Sequence, residues 1–264
     1  MTTYTKAEVI LRVQNVNLSY EGKCILHDIN FQVKNIIRPG LKQGQVISLI
    51  GRSGIGKTQL FKLLSGLQKP TSGSITIFEN KEVEAGDMGV IFQNYYLFEW
   101  RTIYQSLLMA ARQNALLKGR EKEAIENYAA QFDLKEHLHK YPQQLSGGQR
   151  QRASIIQQLL KGSDFLLLDE PFSGLDVCVL DKVVNLLLEV SLSDELKTLV
   201  IVSHDIATAV AISDTVFILG TDGPQQGATI KKEIDLIERE LAWEKDIKKQ
   251  KTFLDTVEEI KACL

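Results

Sequence analysis

Three consecutive stretches of this chain leave few folds open. Val46-Ile47-Ser48-Leu49-Ile50 is a short, nearly continuous apolar run, and Gly51-Arg52-Ser53-Gly54-Ile55-Gly56-Lys57-Thr58 follows it directly. Leu60, Phe61, Leu63, Leu64 and Leu67 then recur at helical spacing. The middle stretch fits G-x-x-x-x-G-K-[ST] in the strand, loop and helix context that the motif requires. Its glycines let backbone N–H groups turn inward around phosphate oxygens, and the start of the helix adds its positive dipole end. Lys57 supplies a full charge at the β and γ phosphates, and Thr58 offers a hydroxyl to Mg²⁺. Many unrelated folds carry this loop, so alone it specifies a nucleotide and nothing narrower.

The rest of the chain supplies the sheet around it. Phe165-Leu166-Leu167-Leu168, Thr198 to Val202 and Thr215 to Leu219 are apolar runs of the kind made by parallel strands covered on both faces. Helical patterns intervene at Ile103 to Leu117, Glu121 to Phe132, Gly148 to Leu160 and Leu180 to Val190, and this alternation predicts a mostly parallel sheet with crossover helices. Ahead of the loop, Val9 to Val16 and Ile25 to Val33 flank the turn Glu21-Gly22-Lys23 and predict an antiparallel layer, joined by Ser74 to Phe78. Lys34 to Gln45, with Pro39, Gly40 and Gly44, reads as a loop. The fold expected is α/β: residues 1–93 and 162–227 form the core with its β layer, 94–161 an inserted helical subdomain, and 228–264 a charged helical extension, all within a single domain of residues 1–264.

Charge and composition exclude several classes. With 31 basic and 33 acidic residues there is no overall positive field to neutralise a nucleic-acid backbone, so nucleic acid is not an expected partner. Cys24, Cys178 and Cys263 are scattered and form no C-x-x-C pair, which argues for a reducing compartment and against zinc or a disulfide framework. No apolar run approaches the roughly 18 to 20 residues that span a bilayer. Met1 to Lys6 leads into Val9-Ile10-Leu11 with no signal-peptide core, so a cytoplasmic location is expected.

Two further stretches carry chemistry. Phe165-Leu166-Leu167-Leu168-Asp169-Glu170 sets two acids at the end of an apolar strand, where ligands bind in open α/β sheets. Asp169 suits a Mg²⁺ ligand, direct or through water, and Glu170 a general base that orients the attacking water; an acidic helix cap is the plainer alternative. Leu145-Ser146-Gly147-Gly148-Gln149 opens a helical pattern with a serine, two glycines and no acid, which leaves free N–H groups and a dipole facing an anion.

That pentapeptide, continued by Arg150-Gln151-Arg152, resembles the signature of ATP-binding cassette (ABC) ATPases. The resemblance covers nearly the whole chain and implies a working unit of two cassettes, a homodimer or pseudo-dimer, in which the signature of one copy meets the γ-phosphate of ATP on the loop of the other. Other positions fall in the family order. Tyr20 resembles the aromatic that stacks on adenine, and Gln93 resembles the glutamine that touches Mg²⁺ and the lytic water. His204, after the strand Leu199 to Val202, resembles the histidine that contacts γ-phosphate and the catalytic carboxylate. Ser173-Gly174-Leu175-Asp176 resembles the loop that faces the opposite subunit. His27, His137 and His139 match no family motif and read as structural or exposed. The helix after the signature carries Gln158 near a position where the family often has arginine.

A single cassette without a membrane segment resembles bacterial importers, whose permeases are separate chains. Asn94 to Thr102, with Leu97, Phe98, Trp100, Arg101 and Glu99 in place of a proline, resembles the corresponding region of subunits importing nitrate, taurine and alkyl sulfonates, as does Ile234 to Trp243. The aromatics would form either a local core cluster or a groove for a permease helix. The resemblance implies ATP and Mg²⁺ as cofactors, integral-membrane permease subunits and an extracytoplasmic solute-binding protein as partners, and a peripheral position on the inner face of the cell membrane. A soluble ABC ATPase without a transport role, or the ATPase of an exporter, remains open at this point.

Overall fold

The structure, a computed structural model, describes residues 4–38, 44–78, 80–171, 198–223, 226–242 and 247–264. Strands β1 (Thr5–Tyr20) and β2 (Lys23–Ile37) pair antiparallel across Glu21 and Gly22, whose φ values of 47° and 79° give the left-handed two-residue turn that suits a twisted hairpin. β4 (Ser72–Ile77) pairs with the other edge of β1, and the short β5 (Lys81–Glu82) with β4, in the order β2-β1-β4-β5. The expected antiparallel layer is therefore present, with longer strands. Lys34 to Ile37, expected in a loop, continue β2 because Lys34, Ile36 and Ile37 pair with Val9, Lys6 and Thr5. Residues 39–43, the middle of that expected loop, lie outside the described residues.

The second sheet runs β10-β9-β3-β8-β7-β6. Its members are β3 (Gln45–Gly51), β6 (Gly89–Ile91), β7 (Phe165–Asp169), β8 (Thr198–Ser203), β9 (Thr215–Gly220) and β10 (Thr229–Asp235). Every pairing in it is parallel except β9 with β10. β3, β7 and β8 are buried along their whole length, as their largely apolar sequences favour. β10 corrects the expectation that residues 228–264 are helical. Its run Lys231-Lys232-Glu233 hid the strand pattern, but an edge strand can hold such charges in water while Ile230 and Ile234 pair with Leu219 and Val216.

Helix α1 (Lys57–Leu64) follows the glycine loop and packs its buried face between the two sheets. Residues 94–161 contain no described strand. They form α2 (Ile103–Ala111), α3 (Glu121–Gln131), α4 (Gly147–Lys161) and short 3₁₀ turns. The single helix expected from Ile103 to Leu117 divides at Asn114. That side chain accepts from Leu116 N and donates to Leu160 O, competing successfully with helix continuation. The helix expected over Leu180 to Val190 lies outside the described residues. α5 (Ile206–Ile212), capped by Asp205, and α6 (Lys251–Cys263) close the third core, where Phe253, Val257 and Ile260 pack with Ala209, Val210 and Ile234. No helix among the described residues is long and apolar enough to cross a membrane.

Two polar anchors fix this frame. Asp214, fully buried before β9, accepts from Val46 N and pairs with Arg38, tying the start of β3 to the neighbouring strand. Arg239 grips Glu259 of α6 through two bonds of 2.7 and 3.1 Å, and Lys232 reaches the same carboxylate at 2.6 Å. The hydrogen bonds from Arg239 and Lys232 hold the Glu259 carboxyl down at about 2, against an ordinary value of 4.5. A depressed carboxylate stabilises the fold fully above its unfolded value and loses that contribution as pH falls through its folded value. Glu259→Gln is therefore expected to lower the urea midpoint at neutral pH, and the gap to wild type should close between about pH 4.5 and pH 2. A gap that stays constant across that range would contradict the latch.

Candidate active site

The glycine loop leaves β3 at Gly51, where a Cβ would stand 2.9 Å from Leu219 O, so the strand end tolerates no side chain. It re-enters regular structure at Gly56, whose φ of 115° is accessible to glycine and which immediately precedes α1. Between them Arg52, Ser53 and Gly54 face solvent, while half-buried Ile55 pins the loop to the β layer. Lys57 is buried, and its ammonium donates to Gly51 O at 2.9 Å and Arg52 O at 3.1 Å, so the loop curls around its own cation. Thr58 is exposed at the first turn of α1.

The acid pair stands beside this loop. β3, β8 and β7 are in register with Ile50 opposite Ser203 and Val202 opposite Asp169, so all three strands end at one level. Glu170 turns out of β7 with φ 49°, a conformation costing a non-glycine residue about 1–3 kcal/mol, and its N–H donates to Val202 O. That turn carries the carboxylate across the strand ends. Oε2 lies 2.8 Å from His204 Nδ1, 3.3 Å from His204 N and 3.4 Å from Ser203 Oγ, and Oε1 lies 3.6 Å from Lys57 Nζ. Asp169 takes the other direction. Its Oδ1 is buried without a hydrogen-bond donor, and burial, reinforced by the neighbouring Glu170 charge, pushes its carboxyl up.

Tyr20, Ser53, Gly54, Gly56, Lys57, Thr58, Gln93, Glu170 and His204 line one cleft of about 470 Å³, within the range of small-molecule and cofactor sites. Ser146 to Gln149 do not line it. They begin α4, where Ser146 Oγ accepts from Gln149 N and Gln149 Oε1 accepts from Ser146 N, a reciprocal cap. A Cβ at Gly147 would meet nothing within 4 Å, and one at Gly148 only the tip of Arg152. Neither glycine has a left-handed φ. Two glycines in a helix's first turn are thus kept for no reason internal to the described fold, although glycine is about 1 kcal/mol less favourable than alanine in a helix interior.

Several contributing residues escaped the sequence reading. Gln59, also in the cleft lining, accepts from the Tyr20 hydroxyl at 3.1 Å, and Gln68 donates to that hydroxyl. Gln151 of α4 is buried and donates to Pro171 O, beside Glu170, at 3.0 Å. His137, set aside as structural, lies 2.9 Å from Gln149. Gln59, next to Thr58 in the first turn of α1, and Gln151, within the continuation of the pentapeptide, stood beside residues already singled out, whereas Gln68 did not. His27 bonds Asn17 and His139 stacks on Tyr104, away from the cleft. Ser173 to Asp176 lie outside the described residues. No group of three or more His, Cys, Asp or Glu able to hold a metal occurs among the described residues. The chemistry of the donors suits Mg²⁺, which takes one or two protein oxygens and completes its shell with phosphate oxygens and water: Asp169 has a buried carboxylate oxygen without a partner among the described residues, and Thr58 lines the cleft with its hydroxyl.

Residues 35–173 match the family described as ABC transporter. The chain belongs to that family. It is 39% identical over 189 residues to the nitrate import ATP-binding protein NrtC of Synechocystis sp., covering 70% of this chain but only 28% of that protein's length. Against the nitrate transport protein NasD of Klebsiella oxytoca it is 35% identical, with 74% of each chain covered. The structure of cbiO1 from Clostridium perfringens, part of the ABC transporter complex cbiONQ, matches with a TM-score of 0.71 at 27% identity over 88% of this chain and 90% of that one. Within the ABC transporter family this chain is an ATP-binding cassette, and Gln59 and Gln68 fix the Tyr20 hydroxyl at the wall of its cleft. Replacing Gln59 and Gln68 together by leucine is expected to weaken ATP binding by about fivefold, from the loss of roughly 1 kcal/mol of net hydrogen bonding, with the rate at saturating ATP little changed; an unchanged ATP dissociation constant would show that the Tyr20 anchors are irrelevant.

Proposed function

We propose that the chain is the ATP-hydrolysing subunit of an ABC importer, working as two copies that close on two ATP molecules. The observation that carries this reading is a separation: one cleft collects the phosphate loop, Tyr20, Gln93, Glu170 and His204, whereas the anion-receiving start of α4 lies outside it. An open helix start whose glycines face empty space suits a phosphate brought by another molecule. A second copy, with its own loop-bound ATP, supplies that phosphate at both sites by symmetry.

In this scheme Lys57 neutralises the β and γ phosphates and the loop amides cradle them. Glu170 accepts a proton from the attacking water as the water oxygen bonds to the γ-phosphorus and the bond from that phosphorus to the bridging oxygen of the β-phosphate breaks, so that ADP and phosphate leave. His204, with Ser203 behind it, holds the Glu170 carboxylate in place and is positioned to meet the γ-phosphate. Asp169, Thr58 and Gln93 would hold Mg²⁺, which, when bound, neutralises charge on the β and γ oxygens. Tyr20 carries the adenine.

Coupling to a membrane partner is read from the helical subdomain. Phe92, Tyr96, Phe98, Met109, Gln113 and Gln158 line a groove of about 330 Å³. Leu97 packs against the local core, while Phe98 lines the groove and Trp100, in tilted contact with Phe98 at 5.4 Å, is 73% exposed, which supports the groove alternative for the exposed aromatics. Such a rim of exposed aromatics suits a permease helix. The nitrate-import relatives favour an importer, with a solute-binding protein outside the membrane and this subunit on the inner face. Glu170→Gln is expected to lower the ATPase rate by about 10²- to 10⁴-fold, the usual contribution of a general base, while ATP drives the variant into a stable dimer seen by light scattering. A variant that stays monomeric with ATP, or one that hydrolyses at the wild-type rate, would overturn the reading.

A further inference from the structure

His137 lies at the end of a 3₁₀ turn, Lys135–His137, well before the start of α4 in sequence, yet its Nε2 lies 2.9 Å from Gln149 Nε2. The partners of Gln149 fix the direction of that bond. Its Oε1 already accepts from Ser146 N at 2.9 Å, so the amino end faces the imidazole and donates. His137 must therefore accept at Nε2 and carry its proton on Nδ1. Nδ1 is buried with no hydrogen-bond partner among the described residues, a cost set against the bond that Nε2 makes with Gln149.

The turn that presents the ring is itself held. His137 N donates to Leu134 O, Lys140 N donates to His137 O, and the flanking Leu134 and Leu138 are buried in the helical core. Tyr104 N donates to Leu138 O and Ile103 N to Lys140 O, fastening the turn to the first turn of α2. An amide free to rotate about its last torsion would offer its NH₂ to Ser146 N in half of its settings, donor against donor, and the cap would open. The imidazole lone pair removes that setting.

We infer that His137 is a positioning residue for the signature: its Nε2 lone pair locks the Gln149 amide, keeps the Ser146–Gln149 cap closed, and so holds the N–H groups of Gly147 and Gly148 ready for the γ-phosphate of the opposite copy. The inference rests on the two-copy reading above. It makes the cap a three-residue device, Ser146, Gln149 and His137, of which the last is supplied by a separate turn.

Three substitutions separate an acceptor role from a space-filling one. His137→Gln places an amide oxygen at the reach of Nε2, His137→Asn keeps a polar group but stops short, and His137→Phe keeps a flat ring without an acceptor. Each is made in the Glu170→Gln protein. Two quantities are measured: the ATP dissociation constant at protein concentrations where the chain is monomeric, and the ATP concentration that half-maximally drives dimerisation. The phosphate-loop cleft does not include His137, so monomer binding should be the same in all three. The dimerisation midpoint should rise about five- to tenfold in the Asn and Phe variants, one hydrogen bond's worth, and return to near the parent value in the Gln variant. If the Phe variant matches the parent while Asn and Gln are impaired, the ring acts by shape and the inference fails. Equal midpoints in all variants also overturn it. A Glu170→Gln parent with His137 intact that binds ATP but never dimerises overturns the two-copy reading and, with it, this role.

Discussion

Glu170 meets Lys57 and His204 because three parallel strands stop at the same level. The pairing of Ile50 with Ser203 and of Val202 with Asp169 puts the phosphate loop, the acid pair and the histidine on one edge of the sheet. A one-residue slip in β8 would turn every side chain of that strand to the opposite face and carry His204 away from the carboxylate. The buried Asp214, bonded to Val46 N and Arg38, anchors the other end of β3, and the buried Gln45, which donates to Thr198 Oγ1 across the β3–β8 pair, holds the start of that register. The strained backbone of Glu170 belongs to the same arrangement, since its N–H is held by Val202 O of β8.

The second constraint is one of incompleteness. In the proposed function the strand ends serve one side of a nucleotide, and the start of α4, which does not line that cleft, serves an anion brought by the second copy. Gln151 links α4 to the backbone just after Glu170, so the helix that begins at Gly147 is tied by a hydrogen bond to the chain next to that carboxylate. The same helical subdomain carries the aromatic groove, and α2 begins immediately beyond Trp100 and Arg101. The first turn of α2 is bonded in turn to Leu138 O and Lys140 O, beside His137.

Much of this was legible because the decisive residues sit in contiguous motifs. Val46 to Leu67 announced strand, loop and helix, and the structure draws them in that order, except that the helix stops at Leu64 and leaves Leu67 exposed beyond it; Phe165 to Glu170 announced a buried strand with acids at its end. What stayed hidden depends on partners distant in sequence. β10 could not be read from Lys231-Lys232-Glu233 because its identity comes from β9, and Lys34 to Ile37 became strand only through β1. Asn114 broke a helix by bonding to Leu160 O, which local periodicity does not reveal. Gln68 and His137 had no motif around them, and each acts through one hydrogen bond across a fold boundary. Tail residues 228–264 were misread at their start and correctly read as helical at Lys251–Cys263, where Phe253, Val257 and Ile260 keep helical spacing.

The central claim is that each ATP lies between the phosphate loop of one copy and the signature of the other. It is tested most directly by proximity across copies. In a Glu170→Gln protein with Cys24, Cys178 and Cys263 replaced by serine, one tagged copy carries Ser53→Cys and a differently tagged copy carries Gly147→Cys. A short thiol cross-linker should join the two tags only when ATP is present. ATP-driven dimers that form without that cross-link, or a chain bearing both cysteines that cross-links only within itself, would contradict the account.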